Sequence, residues 1–302
     1  MLKVKFDKFE LKNPVITASG TYGYCDEYDC FTDVSALGAI VTKAITLNPR
    51  PGNRNSRIAE TRAGMINSIG LENIGIKEFI KTKLPVLKSK NIDFIMNVAG
   101  SDTEEYCETA KIAEDEDIKA IELNVSCPNV KTGCMAIGSD ETALAETVNA
   151  VREVFSGFLL VKLTPNVTCI ENLGLAAQKA GADAVTAINT LKGTNIKISK
   201  IGGKFNKTIL TGGYSGFGIK PVALNAVYRL ANCLDIPVIG SGGIETLEDI
   251  FEFFAAGAQA VQLGTVNFTH PDRALSLIKE LEEYLKTNGF KSVEALKKEL
   301  RG

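Results

Sequence analysis

Eight short apolar runs, each closed by a polar or glycine-rich turn, set the strongest limit on what this chain can fold into. They fall at residues 14–18, 39–43, 93–98, 120–125, 159–163, 184–189, 237–241 and 260–264. Most are separated by stretches with helical periodicity, such as 171–180, 221–234 and 246–256. Near-continuous apolar strands alternating with helices predict a parallel sheet buried on both faces. A count of eight favours a closed (β/α)8 TIM barrel, of the α/β class, over an open doubly wound sheet. An internal echo agrees with this: Leu37-Gly38-Ala39, Ala180-Gly181-Ala182 and Ala256-Gly257-Ala258 each read as a helix ending on glycine and turning into a strand. With no linker or low-complexity stretch, residues 1–302 read as one domain.

Two connections, 44–91 and 190–220, are too long to be turns. They are expected to be long βα-loop insertions over the C-terminal face, covering or lining a site. Residues 271–285 read as an amphipathic closing helix.

Composition narrows the chemistry. The only histidine is His270, near the C-terminus, so neither a Ser-His-Asp triad nor a multi-histidine metal site is expected. Seven cysteines, an odd number without C-x-x-C spacing, make neither a disulfide framework nor a cluster site. Acid–base work therefore falls to Cys, Lys, Asp, Glu or Tyr. A net charge of −2 gives no nucleic-acid footprint. No apolar run reaches the roughly 18 residues of a membrane span, and no signal peptide opens the chain, so a cytoplasmic location is expected.

The strand ends carry reactive and polar groups: Ser19, Lys43, Asn97, Asn124, Lys162, Asn189, Gly242-Gly243 and Gly264-Thr265. A lysine at the edge of a barrel core loses hydration unless an anion or acceptor waits for it. The glycines after strands seven and eight place backbone N–H groups where a phosphate can approach. FMN fits that pattern, and so does a sugar phosphate. No G-x-G-x-x-G opens a βαβ unit, which excludes a Rossmann dinucleotide site. Cys127, just beyond Asn124-Val125-Ser126, is the candidate base, and a free thiol needs help from Lys131 or a bound ligand to act near neutrality.

Seven segments in order resemble the class 1 dihydroorotate dehydrogenases. They are Asn13-Pro14 through Ala18-Ser19-Gly20-Thr21, Lys43-Ala44-Ile45-Thr46, Asn67-Ser68-Ile69-Gly70-Leu71, Asn124-Val125-Ser126-Cys127-Pro128-Asn129, Lys162-Leu163-Thr164-Pro165-Asn166, Ile188-Asn189-Thr190 and Gly213-Tyr214-Ser215-Gly216. Pro51-Gly52-Asn53 and Arg57-Ile58-Ala59-Glu60-Thr61 look like the class 1B catalytic subunit. The resemblance implies an FMN-binding barrel, one FMN per chain, that oxidises (S)-dihydroorotate to orotate in pyrimidine (UMP) synthesis.

It also implies roles. Cys127 removes the C5 proton of dihydroorotate while the C6 hydride passes to N5 of FMN, under a lid at 128–138. Lys43, Asn67, Ser68, Ile69, Gly70, Leu71, Asn124, Asn189 and Thr190 hold the substrate. Lys162 faces the flavin and stabilises its reduced form. Ser19, Lys43, Ala44, Asn97, Asn124, Ile188, Gly216, Gly242, Gly243, Gly264 and Thr265 cradle FMN, the last four at its phosphate. A homodimer flanked by a second subunit carrying FAD and a [2Fe-2S] cluster, passing electrons to NAD, is implied as a heterotetramer.

The chain departs from the family pattern at Gly133-Cys134 and Ile137 in the lid, at Cys25 where glycine is common, and at Lys192-Gly193-Thr194-Asn195. Competing expectations are an FMN barrel acting on dihydrouracil, and a flavin-free phosphosugar aldolase or isomerase. A tRNA-reducing flavoenzyme calls for a basic surface that the net charge does not favour. A non-catalytic scaffold has no need of polar strand ends.

Overall fold

The computed structural model describes residues 1–28, 30–125, 134–202 and 204–302. All eight apolar runs become barrel strands: β1 (Val15–Thr17), β2 (Ala39–Val41), β3 (Phe94–Val98), β4 (Ala120–Leu123), β5 (Phe158–Lys162), β6 (Ala184–Ala187), β7 (Val238–Ser241) and β8 (Ala260–Leu263). They pair in chain order, each ladder parallel, and β8 closes on β1. Closure leaves the barrel sheet without an edge. It is the TIM barrel that the count of runs predicts.

Helices cover the outside because each presents one apolar stripe. In Glu141–Val154 the buried residues are Leu144, Thr147, Val148 and Val151, at helical spacing. Side-chain caps fix several helix starts: Asp102 accepts from the Glu105 N–H, Asp140 from the Ala143 N–H, and Thr246 and Asp249 form a capping box. Each such cap is worth about 1 kcal/mol.

The glycine echo holds at two of its three sites. Gly181 and Gly257 have φ of 97° and 107° just past a helix end, the conformation a glycine C-cap requires. Gly38 follows only a short 3-10 turn, Val34–Ala36, and serves close approach instead. A Cβ there would lie 2.3 Å from the Asn13 carbonyl oxygen. At the opposite, N-terminal mouth, the hairpin Val4–Lys5/Glu10–Leu11 lays Phe6 and Phe9 against Phe158, with centroids 5.1 and 5.4 Å away.

The two insertions line the cavity mouth as expected, and they carry strands of their own. Strands Ile58–Thr61 and Gly64–Asn67 from the first join Leu191–Ile201 and Lys204–Ser215 from the second in a four-stranded antiparallel sheet. The long hairpin follows the period-two alternation of Ile196-Lys197-Ile198-Ser199. Ile196 faces Ile209 across the ladder, and Ile198 and Phe205 share their exposed face. Residues 271–285 do not close the chain. Arg273–Thr287 is followed by a helix Val293–Arg301, capped by Ser292 and anchored by Val293, Leu296 and a buried Lys297. Lys297 Nζ donates to the Gln259 carbonyl at 2.6 Å and to Glu294 at 2.7 Å. Among the described residues no helix is long and apolar enough to cross a membrane.

Candidate active site

Every barrel strand except β3 delivers a residue at its C-terminal end to one cavity of about 440 Å³, a size suited to a cofactor or small ligand. Of the expected site residues, Ser19, Lys43, Ala44, Asn124, Lys162, Ile188, Asn189, Thr190, Gly242, Gly243, Gly264 and Thr265 line it from the barrel. Asn67, Ile69, Gly70, Leu71 and Gly216 line it from the insertions. Two expected residues do not. Asn97 is fully buried beneath the floor, and Ser68 is turned toward Asn53, whose Nδ2 donates to its hydroxyl at 3.0 Å.

Cys127 lies outside the described residues, as does the first part of the expected lid. The second part is helix Cys134–Ser139 rather than loop. Cys25 has φ 86°, which accounts for glycine being the expected residue there. Its thiol is fully buried, and burial pushes its pKa up to about 11, so it is no candidate base.

The floor is a closed polar network inside the barrel. Glu122 of β4 is fully buried. Its Oε1 accepts from Asn97 Nδ2 at 2.8 Å and lies 3.7 Å from Lys162 Nζ. Its Oε2 accepts from Thr186 Oγ1 at 2.8 Å and Gln262 Nε2 at 2.7 Å. These bonds cross the barrel between β4, β6 and β8, so the three side chains point into its interior, as alternate strands do in layered barrels. Lys162 also donates to Gln262 Oε1 at 3.1 Å and to Ser19 Oγ at 3.5 Å. Glu122, Thr186 and Gln262 escaped the sequence reading. The visible signal was a charge in the middle of the apolar run Ala120-Ile121-Glu122-Leu123, with Gln262 inside Val261-Gln262-Leu263.

One wall is a row of amides. Asn124 Nδ2 donates to Asn97 Oδ1 at 3.4 Å, Asn189 Nδ2 to Asn124 Oδ1 at 3.0 Å, and the Thr190 N–H to Asn189 Oδ1 at 2.8 Å. Asn166 braces that wall, donating to the Thr190 carbonyl at 3.1 Å and accepting from the Lys192 N–H at 2.8 Å. The opposite rim is charged. Lys43 Nζ lies 3.6 Å from Glu72 Oε2, which accepts from Arg57 Nη1 at 2.9 Å. The Lys43 ammonium, then Arg57, hold the Glu72 carboxyl below the usual carboxylate range. Asn73 fixes the intervening loop, donating to the Leu71 carbonyl at 2.7 Å and accepting from the Gly75 N–H at 2.8 Å.

The far end is built of backbone. Gly216 and Gly243 have φ of 99° and 73°, and both lie beside the start of helix Lys220–Ala231. A Cβ on Gly243 would come 3.0 Å from the Lys220 nitrogen. Bare backbone next to a helix N-terminus suits a phosphate. The cavity thus offers an anion cradle at one end, an ammonium in its floor, and amide donors and acceptors fixed on one wall. That set fits a phosphate-bearing planar cofactor beneath a small ring with polar edges.

A family model described as dihydroorotate dehydrogenase matches residues 1–285. Relatives named dihydroorotate dehydrogenase B (NAD(+)), catalytic subunit, match along the whole chain. The one from Alkaliphilus metalliredigens is 46% identical over 304 residues, covering 100% of this chain and 98% of its own. That from Parabacteroides distasonis is 47% identical over 299 residues, covering 98% and 96%. That from Caldicellulosiruptor bescii is 46% identical over 295 residues, covering 98% and 97%. With its closed barrel and with the expected strand-end residues converging on one cavity, the chain belongs to the dihydroorotate dehydrogenase family.

Proposed function

We propose that this chain oxidises (S)-dihydroorotate to orotate in de novo pyrimidine synthesis, as the catalytic subunit of an NAD-linked enzyme. The observation that carries the reading is the meeting of Lys43, Asn67, Asn124, Asn189 and Lys162 with a glycine-built anion cradle in one cavity.

FMN is the cofactor, and when bound it supplies the hydride acceptor. Gly242, Gly243, Gly264 and Thr265 would hold its phosphate beside Gly216, with the hydroxyl of Thr265 fixed by a 2.8 Å bond to Ser215 Oγ. Lys162 would present positive charge to the bound group from the floor, the charge that a hydride acceptor calls for. The substrate's carboxylate takes the Lys43 ammonium and the Asn67–Leu71 loop. Its ring amides take the row Asn124, Asn189 and Thr190, whose donors and acceptors are already oriented. Cys127 takes the C5 proton.

The shared name of the relatives, catalytic subunit, supports a separate partner. We assign that partner FAD and a [2Fe-2S] cluster, with NAD as final acceptor, around a dimer of this chain in the cytoplasm.

An anaerobic visible spectrum tests the reading. The purified chain is expected to be yellow and to bleach when dihydroorotate is added. A protein that stays colourless with added FMN overturns the flavin reading, and yellow without bleaching overturns the substrate. The chain alone is expected to reduce NAD only slowly, and rapid reduction would remove the need for the partner.

A further inference from the structure

We propose that Glu122 is the positioning residue that sets the donor–acceptor polarity of the whole site, through two amide arms; the inference rests on the flavin and dihydroorotate reading above. A carboxylate only accepts hydrogen bonds, whereas an asparagine or glutamine amide can face either way. Any amide beside Glu122 must therefore turn its NH2 toward it.

The first arm leads to the substrate wall. Asn97 gives its NH2 to Glu122 at 2.8 Å, which leaves its oxygen for Asn124. Asn124 then gives its NH2 to Asn97, leaving its own oxygen for Asn189 at 3.0 Å. Asn189 in turn accepts the Thr190 N–H at 2.8 Å. A flip anywhere along this row sets N–H against N–H in a buried or half-buried position. The second arm leads to the floor cation. Gln262 gives its NH2 to Glu122 at 2.7 Å and so turns its oxygen to Lys162 Nζ at 3.1 Å.

An isosteric glutamine at 122 cannot reproduce this. If its NH2 takes the Oε2 position, Thr186 can rotate its hydroxyl to accept, but Gln262 must flip and present N–H groups to the Lys162 ammonium. If its NH2 takes the Oε1 position, it faces both Lys162 and the Asn97 NH2. In either orientation one arm is inverted. One buried acceptor thus decides which edge of each amide the substrate meets and which atom steadies the floor lysine.

The test uses the FMN-loaded full chain as wild type, Glu122→Gln and Gln262→Met. Orotate Kd is measured by calorimetry, and the FMN midpoint potential by dye equilibration. Wild-type binding of FMN and orotate establishes the underlying reading, so losses confined to the variants report on the network. Glu122→Gln is expected to weaken orotate binding by about ten- to hundredfold, the range for mispaired buried polar groups, when its NH2 takes the Oε1 position, and to leave it unchanged in the other orientation, where only the second arm is inverted. It should also make the flavin potential more positive, because an anion beneath the floor is removed. Gln262→Met, which cuts only the second arm, should shift the potential while leaving orotate affinity near that of wild type. A folded Glu122→Gln protein with wild-type orotate Kd and potential overturns the proposal. If Glu122→Gln does not fold, Gln262→Met decides, and an unchanged potential overturns it.

Discussion

The cavity holds two lysine–glutamate pairs at nearly equal separation, Lys43–Glu72 at 3.6 Å on the rim and Lys162–Glu122 at 3.7 Å beneath the floor. The rim side chains stay 30% and 40% exposed, and those of the floor 5% and 0%. Distance therefore says little about what each pair does. In water the rim attraction is modest, and the two side chains are free to exchange partners. In the interior both the attraction and the cost of desolvation are large, and the pair is held only because neutral donors fill the remaining acceptor sites of Glu122. The rim is adjustable and the floor is fixed. On the function proposed above, the substrate carboxylate would meet the first and the flavin the second.

The largest expected effect tests the floor. Lys162→Met leaves the Glu122 carboxylate buried without its cation and should destabilise the protein by about 3–5 kcal/mol in urea unfolding. The double variant Lys162→Met/Glu122→Leu should recover only part of that loss: it removes both buried charges, but it leaves the Asn97, Thr186 and Gln262 donors buried without their acceptor. A single variant costing no more than a rim substitution would erase the contrast between floor and rim.

Lys220–Asp249 sharpens the comparison as an intermediate case, at 2.6 Å with side chains 17% and 4% exposed. Burial pushes the Asp249 carboxyl up, but the Lys220 ammonium and the N–H groups of Glu245 and Thr246 more than offset this and hold it below its usual 3.8. A carboxyl depressed in the folded state adds stability that is fully present above the unfolded value and lost as pH falls through the folded one. Asp249→Asn should thus cost about 1–3 kcal/mol at neutral pH. Urea unfolding at pH 3 should show a smaller gap from wild type than at pH 7. A gap that widened on acidification would mean that the carboxyl is not held down by Lys220 and the two N–H groups.

Both lysines of the compared pairs were legible in the sequence, and neither glutamate was. Lys43 and Lys162 end apolar runs, where a charge stands out. Glu122 sits within such a run, and its partners Thr186 and Gln262 come from strands that meet it only across the closed barrel. Glu72 is one more charge in a polar loop, and only the fold brings it to Lys43. The eight strands were readable because buried parallel strands are apolar on both faces. The hairpin Leu191–Ile201/Lys204–Ser215 was not, because its glycines punctuate it like a loop and its alternating isoleucines face outward. Asn97 was expected at the cofactor and lies one layer below, where it acts on Asn124.

The smallest expected effect on stability belongs to the rim. Glu72→Gln removes a half-exposed partner of Lys43 and Arg57, so its cost should stay below about 1 kcal/mol and shrink with added salt. Its effect on substrate should be clearer. In the free protein Glu72 occupies the ammonium that we propose takes the dihydroorotate carboxylate, and a second carboxylate at that rim would repel the first. Freeing Lys43 should lower KM by about two- to fivefold with kcat little changed, the signature of altered ground-state binding. Because Lys43 holds the Glu72 carboxyl below the usual range, the gain should persist unchanged from pH 6 to 8. A higher KM in Glu72→Gln would reverse the assignment: Glu72 would then be steering Lys43 toward the substrate rather than competing for it, and the rim would be as fixed as the floor.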